Sequence, residues 1–372
     1  MVAMTNAASD LAHLRAAFAI GSRRLGETWP NPAVGCVLVR AGRVVGRGHT
    51  AATGRPHAES AALAMAGADA RGATAYVTLE PCSHHGQTPP CAEALIAAGI
   101  ARAVVALHDP DARVSGQGVA RLRDAGVVVE TGLLADDAKD AHAGFLSRIV
   151  RHRPLVTLKL ASTLDGRIAT RTGHSQWITG IAARRAAHGL RATHDAILVG
   201  AGTVLADNPR LTCRLTGART RALVRVVADS HLRTPLTSAL VATAGQEPLW
   251  LLAREYADAD RARAFSSAGA RVIGCRPGPL GIDMADALRR LADAGLTRVL
   301  AEGGGQLAAS LLRDDLVDRL VWFHAPSIIG GDGYDAVRGF GIAELSAMPR
   351  FIPDQCLSFG EDRVMVMRRH ES

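Results

Sequence analysis

The chain has 372 residues, 48% hydrophobic, 21% charged and only 4% aromatic. That balance excludes a mostly disordered or fibrous chain, suits two folded domains, and leaves Ala, Val, Leu and Ile to build the cores. The net charge of +8, from 43 Lys+Arg against 35 Asp+Glu, favours acidic partners, but the basic residues are scattered and no basic stretch is interleaved with aromatics. A phosphate-bearing metabolite is therefore expected rather than nucleic acid.

In chain order, Asp10 to Leu25 has helical spacing through Leu11, Leu14 and Phe18. Ala33 to Arg40 is a β-branched run, and Ala41-Gly42 turns it into Arg43 to Gly48 as a hairpin. A helix follows over His57 to Ala66, a strand over Ala73 to Leu79, and a helix over Cys91 to Ala98 that Gly99 stops. Then come a strand over Arg102 to His108, a helix over Gly116 to Asp124 and a strand over Val127 to Glu130. This alternation predicts a three-layer α/β/α domain over 1–150 with a largely parallel sheet. The basic stretch Arg148 to Pro154 reads as a linker. A second α/β domain, 154–372, opens on the strand Leu155 to Ala161. Its later apolar runs begin at Ala196, Leu223, Leu249, Val272, Arg298, Leu320 and Val364.

No apolar run approaches the roughly 20 residues of a spanning helix. The N-terminus carries Asp10, Arg15, Arg23 and Arg24 and does not read as a signal peptide. Six unevenly spaced cysteines make no disulfide framework, so the expected compartment is the reducing cytoplasm.

The strongest chemical signal is His57-Ala58-Glu59 followed by Pro81-Cys82 and then Pro90-Cys91. One imidazole and two thiolates suit zinc, and three protein ligands leave a tetrahedral position for water, as in a catalytic site. Zinc lowers the pKa of such a water to about 7. Glu59, two residues after His57, can then carry a proton without being a ligand. His-x-Glu with Pro-Cys and a second Cys is a zinc-deaminase signature. Cys82 and Cys91 are both expected at helix starts, where partial positive charge favours thiolate. The competing reading is a structural zinc site closed by His84, His85, Cys36 or His49. Glu59 separates the two, because a structural site has no use for it. Eight residues stand between the cysteines instead of the usual two, and this polar insert, Ser83 to Pro90, is expected to wall the substrate.

Together, Pro30-Asn31-Pro32-Ala33-Val34-Gly35, His57-Ala58-Glu59, Thr78 to Cys91, Asp109-Pro110 and Gly116-Gln117-Gly118 resemble the bifunctional riboflavin-biosynthesis deaminase–reductases. The resemblance covers essentially the whole chain. It implies a cytidine-deaminase-like N-terminal domain acting on a phosphoribosylated diaminopyrimidine. His57, Cys82 and Cys91 become the ligands of one zinc ion per chain, Glu59 the proton shuttle and Asn31 a pyrimidine contact. Two departures concern substrate contacts. Thr50, beside His49, stands where many relatives carry His, and Ser60 and Ala61 replace an apolar residue and a His.

In the second domain, Glu302-Gly303-Gly304-Gly305-Gln306-Leu307 follows a strand and opens a helix, a turn able to cradle phosphate. It is not the dinucleotide fingerprint and reads equally as a tight connection. Lys159 interrupts an apolar strand, either as a snorkelling edge residue or as an active-site cation. Trp177 and Asp207 to Leu211 read locally as packing and a turn. The family resemblance extends over Lys159 to Arg167, Ser175 to Thr179, Thr203 to Pro209, Asp229-Ser230 and Glu302-Gly303-Gly304. It implies a dihydrofolate-reductase-like α/β domain that uses NADPH to reduce the ribose of the deaminated product to a ribityl chain. Ala161, Trp177, Thr203, Asp207, Ser230 and Gly304 to Ser310 (Gly304, Gly305, Gln306, Leu307, Ala308, Ala309, Ser310) would line the cofactor. Ser175, Leu211, Arg214 and Glu302 would line the substrate, Arg214 as a bidentate phosphate clamp. Lys159, Asp207 and Glu302 are the candidates for proton and charge work. The implied reductase also points to a homodimer or higher homo-oligomer. The alternative function is a nucleic-acid deaminase of tRNA type with an accessory binding domain.

Overall fold

The computed structural model describes residues 3–84, 89–111 and 115–370, with side chains from residue 7. Contacts divide the chain into Met1–His152 and Arg153–Ser372. Among the described residues no helix is long and apolar enough to cross a membrane.

The first unit holds α1 (Ala3–Ser22), β1 (Gly35–Arg40), β2 (Arg43–His49), α2 (Ala58–Ala66), β3 (Thr74–Val77), α3 (Cys91–Ala97), β4 (Arg102–Val105), α4 (Gln117–Asp124), β5 (Val128–Thr131), α5 (Ala135–Ala141) and α6 (Ala143–Val150). The sheet order is β2-β1-β3-β4-β5. Only β3/β4 and β4/β5 are parallel; β1 runs antiparallel to both β2 and β3. The sheet is therefore mixed rather than largely parallel, because the hairpin places β1 centrally and β3 pairs on its far side. One apolar layer under α2 and α3 includes Cys36, Leu38, Ala62 and Leu95. The opposite layer, under α1, includes Leu14, Ala17 and Val37. Helix α2 lies so close to β2 that a Cβ on Gly48 would stand 2.2 Å from the Ala58 carbonyl oxygen. That approach sets the height of α2's first turn, and with it His57 and Glu59.

The second unit holds β6 (Leu155–Thr163), α7 (Ile181–Ala192), β7 (Ala196–Gly200), α8 (Ala201–Asp207), β8 (Val224–Ala228), α9 (Ala239–Ala242), β9 (Leu249–Arg254), α10 (Ala259–Ser267), β10 (Arg271–Cys275), α11 (Met284–Asp293), β11 (Arg298–Ala301), α12 (Gly305–Arg313), β12 (Arg319–Ala325), β13 (Phe351–Phe359) and β14 (Asp362–Arg369), with shorter strands between. Its sheet has nine strands in the order β10-β9-β8-β7-β11-β6-β12-β14-β13. The first seven are parallel, and β14 and β13 add an antiparallel edge. Lys159 sits on a central strand between β11 and β12, so it is not an edge residue. Strand β13, absent from the apolar runs of the sequence, is exposed along most of its length and carries a register shift at Pro353/Gln355. Edge position and bulge are what tolerate a strand proline.

Two buried polar groups fix the centre of this sheet. Asp195 accepts from the Thr297 and Arg298 N–H groups at 2.6 and 2.8 Å, tying the start of β7 to β11. The His194 ring donates through Nδ1 to the Leu190 carbonyl at 2.7 Å and accepts at Nε2 from Thr157 at 2.8 Å, fastening α7 to β6. Burial, with nearby arginines, pushes its pKa down to about 3. The unfolded His takes a proton below about 6.5 and the folded one does not, so stability falls with pH across that window, by about 1.4 kcal/mol per unit. Denaturant midpoints of the second unit measured between pH 7 and 4.5 should show this slope, and His194→Gln should flatten it; equal slopes would remove His194 as the cause.

Candidate active sites

In the first unit, His57 caps α2 and Glu59 lies in its first turn, 3% exposed. Cys91 opens α3 after Pro90. Cys82, expected at a helix start, lies in an irregular segment instead. Its sulfur reaches the positive end of a helix all the same, by accepting the Cys91 backbone N–H at 3.3 Å. The ligand atoms of His57, Cys82 and Cys91 all fall within 4.8 Å of one another. His57 Nδ1 stands 3.3 Å from Cys91 Sγ and 3.6 Å from Cys82 Sγ. Tetrahedral zinc with ordinary bond lengths separates such a nitrogen and sulfur by about 3.6 Å, so the donor set fits that metal. Among the described residues no fourth ligand joins the cluster. Cys36 is buried in β1 outside it, and His85, within the insert, lies outside the described residues.

Electrostatics follow burial and proximity. Burial pushes the Glu59 carboxyl up to about 7. The Cys82 thiol is drawn down to about 4, first by the hydrogen bond from the Cys91 thiol and then by His57; the Cys91 thiol is pushed up correspondingly. The hydrogen bond to Cys82 raises His57. A carboxyl able to hold or release a proton near neutrality thus faces a metal-binding set.

His57, Glu59 and Cys82 line a cavity of about 100 Å³ together with Asn31, Thr50, Arg55, Glu80, His84, Asp109, Asp111 and Phe145. Asn31 donates to the Gly54 carbonyl at 3.2 Å. Thr50 accepts from the Val34 N–H at 3.0 Å and so is part of the scaffold. Arg55, Asp111 and Phe145 were not singled out by sequence. Their only signal was position, since loops and α6 bring them to the pocket from distant parts of the chain. A larger cavity, about 320 Å³, lies in the second unit beside Arg313, Arg350 and Arg369 at the C-terminal end of α12. Arg313 and Arg369 are already paired with Asp314 and Asp315 there, and it holds none of the predicted site residues.

In the second unit the predicted residues gather at the carboxyl ends of parallel strands, where open α/β sheets bind ligands. Glu302 follows β11 and receives both arms of Arg191 at 2.7 and 2.9 Å. Arg191 also donates to the Thr212 carbonyl at 2.8 Å. Burial pushes Glu302 up, but the Arg191 fork outweighs it and the carboxyl titrates below its usual range. Burial lowers Lys159, against the pull of the Glu302 charge. His188, one helical turn before Arg191, accepts the Arg214 N–H at Nδ1, 3.3 Å away, and burial lowers its pKa. Arg214 itself is exposed, and Leu211 is buried with φ +54°. Arg191 and His188 were missed because the sequence shows only a basic stripe, Arg184, His188 and Arg191, on what reads as a solvated helix.

The remaining residues are more dispersed. Trp177 is 67% exposed, with the Arg184 guanidinium 4.5 Å over its ring, and Ser175 precedes it, half-buried. Ala161 is on β6, Thr203 and Asp207 on α8. Burial raises the Asp207 carboxyl. Ser230 follows β8 and lies against Gly281, where a Cβ would come within 2.2 Å of its oxygen. Gly304 caps α12, Gly305 opens it and Gln306 is exposed, but Leu307, Ala308, Ala309 and Ser310 are buried helix residues rather than part of a turn. Nothing stands within 4 Å of where a Gly304 Cβ would sit. A Gly305 Cβ would fall 2.5 Å from the Asp335 carbonyl oxygen, so the helix start is open on the Gly304 side only, which leaves room there for a cofactor phosphate.

The two units define an enzyme with a deaminase-type metal centre on one α/β sheet and a dihydrofolate-reductase-like sheet beside it in sequence. Residues 8–107 match the cytidine and deoxycytidylate deaminase zinc-binding region, and residues 154–365 match the RibD C-terminal domain. The chain belongs to the RibD family, bifunctional deaminase–reductases of riboflavin biosynthesis. It is 38% identical to the riboflavin biosynthesis protein RibD of Aquifex aeolicus over 97% of this chain and 99% of that one. Acinetobacter baumannii RibD superposes with a TM-score of 0.88 at 33% identity, covering 98% and 100% of the two chains. A Thermotoga maritima diaminohydroxyphosphoribosylaminopyrimidine deaminase/5-amino-6-(5-phosphoribosylamino)uracil reductase superposes at 0.85 with 33% identity, again covering 98% and 100%. A nucleic-acid deaminase with an accessory binding domain leaves the match over 154–365 without an account.

Proposed function

We propose that the first unit hydrolytically deaminates 2,5-diamino-6-(5-phosphoribosylamino)pyrimidin-4(3H)-one and that the second reduces the ribosyl group of the product to ribityl with NADPH. The observation that carries the first step is the three-ligand cluster with Glu59 buried beside it. Zinc held by His57, Cys82 and Cys91 would supply the Lewis acidity that makes water nucleophilic at neutral pH. Glu59 would take a proton at a carboxylate oxygen and return it to the departing amino nitrogen, a task suited to a group that titrates near 7. Asn31 would orient the pyrimidine, and the walls of the narrow cavity would exclude bulk water.

In the second unit NADPH would supply the hydride. The N–H groups at Gly304 and Gly305 would hold cofactor phosphate, with Ala161, Trp177, Thr203, Asp207, Ser230 and the start of α12, Gly304 to Ser310, along it. Ser175, Leu211 and Arg214 would hold the substrate, Arg214 at its phosphate. Lys159 Nζ, opposed by Glu302, would stabilise charge on the ribosyl oxygen as hydride arrives, and Asp207 would serve proton transfer. Arg191 would act on Glu302 by keeping it ionised. The division of the chain into domains 1–150 and 154–372 follows these two chemistries.

The scattered positive charge supports a phosphorylated metabolite as partner, with no nucleic acid and no membrane. Six free cysteines and a thiolate metal set support a cytoplasmic enzyme. The unpaired edge strand β13, exposing Ile352 and Leu357, supports a homodimer or higher homo-oligomer built on it. Chelating the zinc should stop ammonia release from the pyrimidine ribotide and leave NADPH oxidation with pre-deaminated substrate intact. If both activities vanish together, the assignment of one chemistry to each unit is wrong.

A further inference from the structure

Glu80 has no part in the chemistry assigned above, yet its carboxylate is held by an unusual number of donors. It follows β3, precedes Cys82 by two residues and is 4% exposed. Oε2 accepts from His108 Nδ1 at 3.1 Å, from the Asp109 N–H at 3.2 Å and from the Gly116 N–H at 3.0 Å. Oε1 accepts from the Val119 N–H at 3.1 Å, and the Glu80 N–H donates to the Leu107 carbonyl at 2.9 Å. A buried carboxylate is costly unless satisfied in this way, and charge-assisted bonds of this kind are the strong ones. The cap residue of α4, Gly116, has no side chain to cap it, so Glu80 serves α4 as a cap supplied from across the sheet. The joint is tight on its other side too, because a Cβ on Gly118 would fall 2.0 Å from the Pro81 carbonyl oxygen. Asp109, at one clamped end, and Asp111 line the same cavity as His57, Glu59 and Glu80 itself.

We propose that Glu80 is a positioning residue of the deamination: it fixes the cavity wall bearing Asp109 and Asp111 to the strand end that runs into the metal ligand Cys82. This rests on the deaminase reading. It predicts a split between binding and chemistry. Loosening the wall should weaken substrate binding, whereas the ligand set, with His57 and Cys91 at the starts of α2 and α3 and Cys82 held by the Cys91 N–H, should keep its metal. Gln at position 80 cannot satisfy all four donors. With its oxygen toward the three-donor side, its NH₂ meets the Val119 N–H; turned the other way, it meets three donors at once.

The test is ammonia release by full-length, zinc-loaded Glu80→Gln across ribotide concentrations, with NADPH oxidation by the same chain as a folding control. Leu14→Ala, in the opposite core layer, controls for lost stability. We expect KM to rise about tenfold with kcat within about threefold of wild type and zinc content unchanged, while Leu14→Ala keeps a normal KM. A wild-type KM in Glu80→Gln, a loss confined to kcat, or the same KM rise in Leu14→Ala overturns the proposal. If Glu80→Gln does not fold, His108→Ala takes its place: His108 is half-exposed, its removal deletes one donor, and KM should rise about threefold; an unchanged KM again overturns the proposal. Wild-type protein that releases no ammonia sinks the deaminase reading and the clamp with it, whereas active wild type beside an unaffected variant sinks the clamp alone.

Discussion

Glu59→Gln is expected to lower the rate of ammonia release by about 10³-fold while zinc stays near one per chain, because the carboxamide keeps the shape and loses the titrating oxygen. The expectation follows from where the side chain sits. It is 3% exposed in the first turn of α2, beside the cluster but outside the ligand set. Burial pushes its carboxyl up to about 7 in the metal-free protein, the direction that favours taking up a proton. Gln matches the protonated form in volume and charge, so α2 and the three ligands should keep their places. NADPH oxidation with pre-deaminated substrate should be unchanged. Full ammonia release by this variant would end the shuttle assignment, and loss of zinc along with activity would make Glu59 a structural residue instead.

The first site was legible in sequence because its chemistry is local. His57 and Glu59 share one helical turn, and the Pro-Cys pairs bracket one insert. What joins them in space, the Cys91 N–H on the Cys82 sulfur, is a consequence of Pro90 starting α3, and only the structure shows that Cys82 itself is not helical. Strand positions were legible too, but not their directions. Four-residue strands buried on both faces, such as β3 and β4, carry no alternation that would tell parallel from antiparallel. The hairpin's closeness to α2, set by Gly46 and Gly48, left only small residues as a trace. Strand β13 was missed because Pro353, Asp354 and Gln355 break its pattern, and an edge strand needs no apolar face. The second site was legible mainly by resemblance. Its central ion pair joins residues 111 apart, and no periodicity links an arginine on α7 to a glutamate that follows β11.

That ion pair sets the largest effect expected in the reductase. Arg191→Met should lower kcat/KM for NADPH-dependent reduction by about 10²-fold or more, since removing one partner of a buried pair leaves the other charge uncompensated at about 3–5 kcal/mol. Arg191 and Glu302 side chains are only 17% and 10% exposed, so water cannot replace the lost fork. Without Arg191, burial alone governs Glu302 and raises its pKa; Lys159 then loses its counter-charge and is lowered further. Both changes disfavour the charged forms of the two groups. The sign of the pH dependence follows: Glu302 in the wild type is ionised throughout the neutral range, so its activity should not depend on that group, whereas the variant should gain activity as pH rises and Glu302 ionises. Adding Glu302→Leu should restore much of the lost stability, because no buried charge remains, without restoring reduction. Ammonia release should be normal in both variants. A flat pH profile for Arg191→Met, or recovery of reduction in the double variant, would show that the pair holds the fold and takes no part in keeping Glu302 charged for catalysis.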